Sequence, residues 1–172
     1  MGKCLRWMLC VVGVAAAGGT SGTPLDIPLP DRQRNFHVQL YSFSHHPDRE
    51  GVRRDGLDNE SNSGLGLNYA FHSDARGVGF VEAGYYRDSG EKMARLAGVG
   101  YQYKLGNHVR LGAALTGILS ETYNRGRFFV APLPVLTVNF GSVKLNAMYV
   151  PSYGDYNKYA VYGFYFSLPL AQ

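Results

Sequence analysis

Two short polar clusters hold the side chains that could do chemistry. His45-His46 ends one apolar-alternating run, and Asp88-Ser89 sits in the polar tip between two others. A serine hydroxyl becomes a useful nucleophile when a base takes its proton, and imidazole suits that task near neutral pH. A neighbouring carboxylate can orient the imidazole or stabilise its charged form. His, Ser and Asp are therefore enough for acyl transfer, provided an oxyanion is also stabilised. Each also has a plainer reading, since Asp-Ser is a common turn pair and paired histidines in a loop usually do nothing. No zinc-like His/Cys spacing, phosphate-cradling loop or nucleotide fingerprint accompanies them, so neither metal nor cofactor is expected.

The two clusters are far apart in sequence, so the fold has to bring them together. The chain has 172 residues, enough for one domain. Residues 1–17 read as a secretory signal: Lys3 and Arg6 form a basic start, Trp7 to Ala17 an apolar run, and Ala15-Ala16-Ala17 the small-residue cleavage site, with the boundary at 17–19. That run is short of the ~20 residues a membrane-spanning helix needs. Cys4 and Cys10 would leave with the signal, so no disulfide framework is expected. Residues 18–35 hold Pro24, Pro28 and Pro30 and read as an irregular periplasmic lead-in. With 17 Lys and Arg against 13 Asp and Glu, the charge balance gives no case for nucleic acid. The 22 glycines, 13 tyrosines and 9 phenylalanines point instead to an all-β chain, and in an exported protein to a membrane barrel.

Period-2 alternation supports this from residue 36 onward. Leu65, Leu67, Tyr69 and Phe71 share one face, with Gly66, Asn68 and Ala70 opposite. Ala97, Val99, Tyr101 and Tyr103 oppose Gly98, Gly100 and Gln102, and similar runs bring the total over 36–168 to eight strands. The connections alternate too. Residues 73–76, 105–107 and 141–142 are short, whereas 47–62, 88–92, 120–126 and 151–157 are mostly longer and more polar. This is the pattern of an eight-stranded antiparallel transmembrane barrel of the outer membrane, with short periplasmic turns and longer outer loops. It puts His45, His46, Asp88 and Ser89 on the outer rim.

The inward residues then sort by depth. Asn68, Ala70, His72, Gln102, Lys104, Arg110, Lys144 and Asn146 give a polar periplasmic half. Gly64, Gly66, Ala94, Gly98, Gly100, Ala114, Ile118, Met148 and Val150 give a small, apolar outer half. The outer half is either an apolar cavity that could take a hydrocarbon chain or a core filled by large neighbours. Pro132 and Pro134 in strand 6 and Pro151 at the end of strand 7 cannot donate to a ladder, so those strands should part near their outer ends. Arg49, Arg53 and Arg54, with Arg125 and Arg127, could meet lipopolysaccharide phosphates.

Ala131-Pro132-Leu133-Pro134-Val135-Leu136, Tyr149-Val150-Pro151 and an aromatic last strand resemble the lipid A palmitoyltransferase family, PagP. Arg87-Asp88-Ser89 followed by Leu96-Ala97-Gly98-Val99-Gly100-Tyr101 resembles that family's Lys-Asp-Ser segment and its next strand, at the same spacing. The resemblance implies an enzyme of a divergent branch that moves a palmitoyl chain from a glycerophospholipid to lipid A in the outer membrane, as a monomer and without cofactors. By position it implies His45, Asp88 and Ser89 as catalytic residues. His45 needs no gap in the spacing, whereas His46 needs a shift of one. It also implies Gly100 as the floor of the acyl pocket and Arg125 as an outer-loop substrate contact. The chain departs from the family in residues 18–35, which cannot form the usual amphipathic clamp helix, and in strands 1 and 2, which lack its prolines. Two other readings compete. One is a lipid A deacylase, although its His-x-Ser-Asn strand motif is missing here. The other is a non-enzymatic small barrel.

Overall fold

The computed structural model describes residues 35–154 and 156–170. The expected signal at 1–17, Cys4 and Cys10, and residues 18–34 of the lead-in lie outside the described residues. Eight strands follow in chain order: β1 (Phe36–His45), β2 (Ser61–Ser73), β3 (Gly77–Arg87), β4 (Met93–Lys104), β5 (Val109–Leu119), β6 (Phe129–Phe140), β7 (Val143–Val150) and β8 (Val161–Pro169). Each pairs antiparallel with its sequence neighbours, and β8 pairs with β1 to close the barrel. One short helix, α1 (Arg49–Arg54), stands in the first long loop. Its N-cap Asp48 accepts from the Gly51 N–H at 2.8 Å.

Closure satisfies the ladder within the chain, which is the condition for crossing a bilayer with strands. The outward positions form the apolar belt this requires. Leu67, Val81, Val99, Leu115 and Leu136 are all exposed on it. Aromatic side chains mark both borders, with Phe43, Tyr85 and Tyr162 at the outer end and Phe36, Phe71, Tyr103 and Phe140 at the other. The short turns close tightly. At the β2–β3 turn, Asp74 Oδ1 accepts from the Arg76 and Gly77 N–H groups at 2.9 and 2.8 Å.

Three irregularities matter for function. In β1 the register slips between Tyr41 and Phe43 against both neighbours: against β8, Ser42 is an extra residue, whereas against β2 the pair Asn62-Ser63 stands opposite Ser42 alone. Such a bulge exchanges the two faces of everything beyond it. His37 and Gln39 are buried below it, but Ser44 and His46 are buried above it. A second slip in β2, at Phe71, leaves His72 exposed rather than facing inward as its parity predicts, with Nε2 3.5 Å from Asp74 Oδ2. The third is the β6–β7 ladder, which ends at Val135 and Met148. Above that level Phe129–Pro134 of β6 pairs only with β5, as the prolines predict.

The interior divides in two. Its lower half is polar, with Gln39, Glu82, Gln102, Thr137, Asn146 and Ser167 buried. Its upper half is apolar, with Leu96, Ile118, Phe129, Leu133 and Met148 among its core. Between them lie three tyrosines. The Tyr41 ring centroid is 5.2 Å from that of Tyr86 and 5.3 Å from that of Tyr165. Tyr41 donates downward to Gln39 Oε1 at 3.2 Å, so its polar end joins the lower half and its ring the upper.

The upper half is filled rather than hollow. A Cβ on Gly64 would come within 2.5 Å of Tyr86, and one on Gly100 within 2.4 Å of Phe80 Cζ. The small residues face large aromatics on the next strand, so the upper half is a packed core and not the open cavity that its glycines suggest. What remains is a void of about 560 Å³ with its open mouth included, of which only about 40 Å³ is open to the centre of a water molecule. Since one water needs roughly 10–15 Å³ by that measure, the void holds a few waters and not an extended acyl chain.

Candidate active site

The site assembles where the β1 end, the β3–β4 tip and the β5–β6 loop meet at the outer rim. Ser89 is buried in the tip, and its Oγ lies 3.2 Å from His46 Nε2. His46 is equally buried, at 3% exposure. With its proton on Nδ1, the ring accepts the Ser89 hydroxyl proton at Nε2, which is the arrangement a general base needs. Burial lowers the His46 pKa from 6.5, opposed by the negative charge of Glu60.

His45, the base expected from spacing, goes elsewhere. The Ser42 bulge turns it out of the barrel, where its side chain is half exposed and Nδ1 lies 3.5 Å from Glu60 Oε1. The same bulge provides the one-residue shift that the sequence spacing would require for His46.

Asp88 is completely buried and beside Ser89, yet its contacts run away from the imidazole. Its Oδ1 accepts from the Gly90 and Lys92 N–H groups, both at 3.0 Å, and from Thr122 Oγ1 at 2.9 Å. Its Oδ2 accepts from the Ser120 hydroxyl. Asp88 thus fastens the β3–β4 tip to the β5–β6 loop and holds Ser89 in place; it is not the third member of a relay. His46 Nδ1 is buried with no protein partner. The observed arrangement is a Ser–His dyad on an Asp-anchored loop.

Tyr123 completes the setting. It interacts with the side chains of Ser89 and Tyr86, and burial, aided by the Asp88 charge, pushes its pKa up to about 12. It is therefore a protonated phenol beside Ser89, a donor of the kind that could stabilise an oxyanion. Sequence reasoning missed Ser120, Thr122 and Tyr123. The available signal was parity: Ser120 continues the inward series of Ala114, Thr116 and Ile118, placing it level with Asp88.

Directly below the dyad is the apolar void. Ser89 and Tyr123 line its top, Tyr41 and Tyr165 its floor, and Phe129 and Met148 its side at the β6–β7 opening. Gly100 is not among its walls, because Phe80 covers it. Arg125 lies in the β5–β6 loop on the outer side, in a left-handed turn with φ 55°. Among the described residues there is no group of three His, Cys, Asp or Glu side chains able to hold a metal.

No family model matches the chain, and no curated protein matches it. Among solved structures it is similar to the Yersinia pestis outer membrane protein Ail in a phospholipid nanodisc, with 11% identity, a TM-score of 0.47, and coverage of 78% of this chain and 97% of Ail. The barrel closure, the apolar belt and the aromatic borders make this chain an eight-stranded outer-membrane β-barrel.

Proposed function

We propose that the barrel is an acyltransferase that moves a palmitoyl chain from a glycerophospholipid to lipid A at the outer rim. The observation that carries this reading is the buried Ser89–His46 pair, 3.2 Å apart, with Ser89 lining an apolar void. Ser89 Oγ attacks the ester carbonyl of the donor while His46 Nε2 takes its proton. Tyr123 donates to the developing oxyanion. The ester bond breaks, the lysophospholipid oxygen takes the proton back from His46, and the chain remains as a Ser89 ester. A lipid A hydroxyl then attacks this ester with His46 again as base, and Ser89 recovers its proton.

The donor chain would enter where β6 and β7 part, since a barrel wall without ladder bonds opens at least expense there. Phe129 and Met148 flank that opening and must move aside, because the resting void is too small for the chain. In this scheme Tyr41 and Tyr165 set the depth that the sequence resemblance assigns to Gly100. Arg125, on the outer loop, would meet lipid A phosphate in this scheme.

The test is mass spectrometry of lipid A from cells carrying His45→Ala, His46→Ala or Ser89→Ala, with surface expression matched. Palmitate addition should disappear in the His46 and Ser89 variants and persist in the His45 variant. Full addition in all three would overturn the assignment. Loss of an acyl chain from lipid A in wild-type cells would favour the deacylase reading instead.

A further inference from the structure

The lower barrel contains a second cavity, at the short-turn end, of about 410 Å³ with its mouth included, of which only about 30 Å³ is open to the centre of a water molecule, so that it suits a group no larger than a small anion. Its wall carries Arg110, Lys144 and His37 and no carboxylate. The buried acid of this half, Glu82, accepts from Gln39 Nε2 at 2.8 Å and lies outside the cavity wall. Lys144 Nζ donates to His37 Nε2 at 2.5 Å, which leaves two ammonium N–H groups to be placed. Two basic side chains facing one confined space, with no acid in its wall, are poorly balanced.

The hydrogen bonds of the wall point the same way. Gln102 Nε2 donates to Thr137 Oγ1 at 2.8 Å, Thr137 donates to Asn146 Oδ1 at 2.7 Å, and Asn146 Nδ2 donates to Ser167 Oγ at 2.8 Å. The run has one direction and ends on Ser167, whose own hydroxyl proton remains to be donated. Cations and a directed hydroxyl therefore meet around a space that lacks an acceptor of matching charge.

We infer that this cavity binds a small oxyanion of the phosphate type, held by Lys144, Arg110 and Ser167. A guanidinium fork matches two oxygens of such an anion, and the ammonium adds a point charge. The site is independent of the outer-rim dyad and of the acyl-transfer reading.

The test is ³¹P NMR of inorganic phosphate added to the full-length barrel folded in a phosphate-free detergent. Saturable line broadening is expected in the wild type, and at least tenfold weaker binding in Lys144→Met and in Arg110→Met. Heat-modifiable migration on gels would verify that each variant folds, and either variant alone suffices. Competition by glycerol 3-phosphate would identify a lipid headgroup as the source, whereas its failure would identify free phosphate. No broadening in the wild type overturns the inference. Unchanged broadening in the folded variants does so too, since it assigns the phosphate to the outer-loop arginines. Broadening that arises only after Asp26→Asn with Asp31→Asn would show that the chain's own lead-in fills the cavity, and would likewise overturn it.

Discussion

Above and below the Tyr41–Tyr86–Tyr165 layer, one set of glycine-rich strands buries polar groups in two ways. Below it, Gln39 bonds Glu82, and Gln102, Thr137, Asn146 and Ser167 form a connected run. Above it, Ser44 Oγ, His46 Nδ1 and Asn62 Oδ1 are buried with no protein partner. Ser44 and Asn62 line the void beneath Ser89. A satisfied polar network mainly supports the fold, whereas buried groups left unmatched call for another explanation. Below the layer the unmatched groups are His37 Nδ1 and Asn139 Oδ1; above it they gather around Ser89 and His46, where, on the proposed function, a lipid ester and its headgroup would supply partners.

The largest expected effect follows from that contrast. Ser89→Ala should reduce acyl transfer by about 10²–10⁴-fold, the usual scale for losing base-assisted chemistry, while leaving barrel stability nearly unchanged. The measurement is the rate of palmitate transfer from phospholipid to lipid A in detergent micelles, paired with urea unfolding. A variant of equal rate would dismiss Ser89 as nucleophile; a variant that unfolds early would make it a structural residue.

Gly100 separates two accounts of the upper half. An added Cβ would sit 2.4 Å from Phe80 Cζ and 2.8 Å from the Ala113 carbonyl oxygen, and the backbone atom cannot easily yield. Gly100→Ala should destabilise the barrel by about 2–3 kcal/mol through overpacking, with the length of the transferred chain unchanged. Urea midpoints and lipid A mass spectra read the two consequences. A shorter transferred chain at unchanged stability would restore Gly100 as the pocket floor.

Glu82 offers the matching probe below the tyrosine layer. Glu82→Ala strands the buried Gln39 amide and should destabilise by about 1–2 kcal/mol, within the usual penalty for an orphaned hydrogen-bonding group. Transfer activity per folded barrel should be unaffected. A specific loss of activity would show that the two halves are coupled through Tyr41 rather than independent.

Much of the fold could be read from period-2 alternation, because a closed barrel repeats one rule around its wall. The strand count, the alternating turn lengths and the parted β6–β7 ends all followed from side-chain parity and proline chemistry. Parity also set the limit. A single extra residue at Ser42 leaves the local apolar pattern intact yet reverses the faces beyond it, so spacing favoured His45 while the backbone presents His46. The filled upper core was obscured for a different reason. Gly64 opposes Tyr86, and Gly100 opposes Phe80, across neighbouring strands, so each gap is occupied by a residue from another run. The Asp88 partners Ser120 and Thr122 form no motif; they become visible only once strand β5 has fixed their height.

The two adjacent histidines allow the mildest perturbation, because protons can be varied without changing a side chain. Burial lowers the pKa of His46 below 6.5, so its neutral form, the form able to act as a base, persists at lower pH than in a free imidazole. Between pH 7.5 and 5.5 an unperturbed imidazole base would lose about tenfold in its active fraction, and the His46-dependent rate should lose less than that. The same shift has a stability consequence of fixed sign. The unfolded chain binds the proton more tightly than the folded one, so His46 favours the folded state fully above pH 6.5, and that contribution is lost as pH falls from there through the folded pKa. A transfer rate measured against pH in His45→Gln isolates the buried ring. An acid limb centred at or above pH 6.5 in that variant would mean that His46 is solvated during turnover, and that the outer rim opens far more than the resting barrel does.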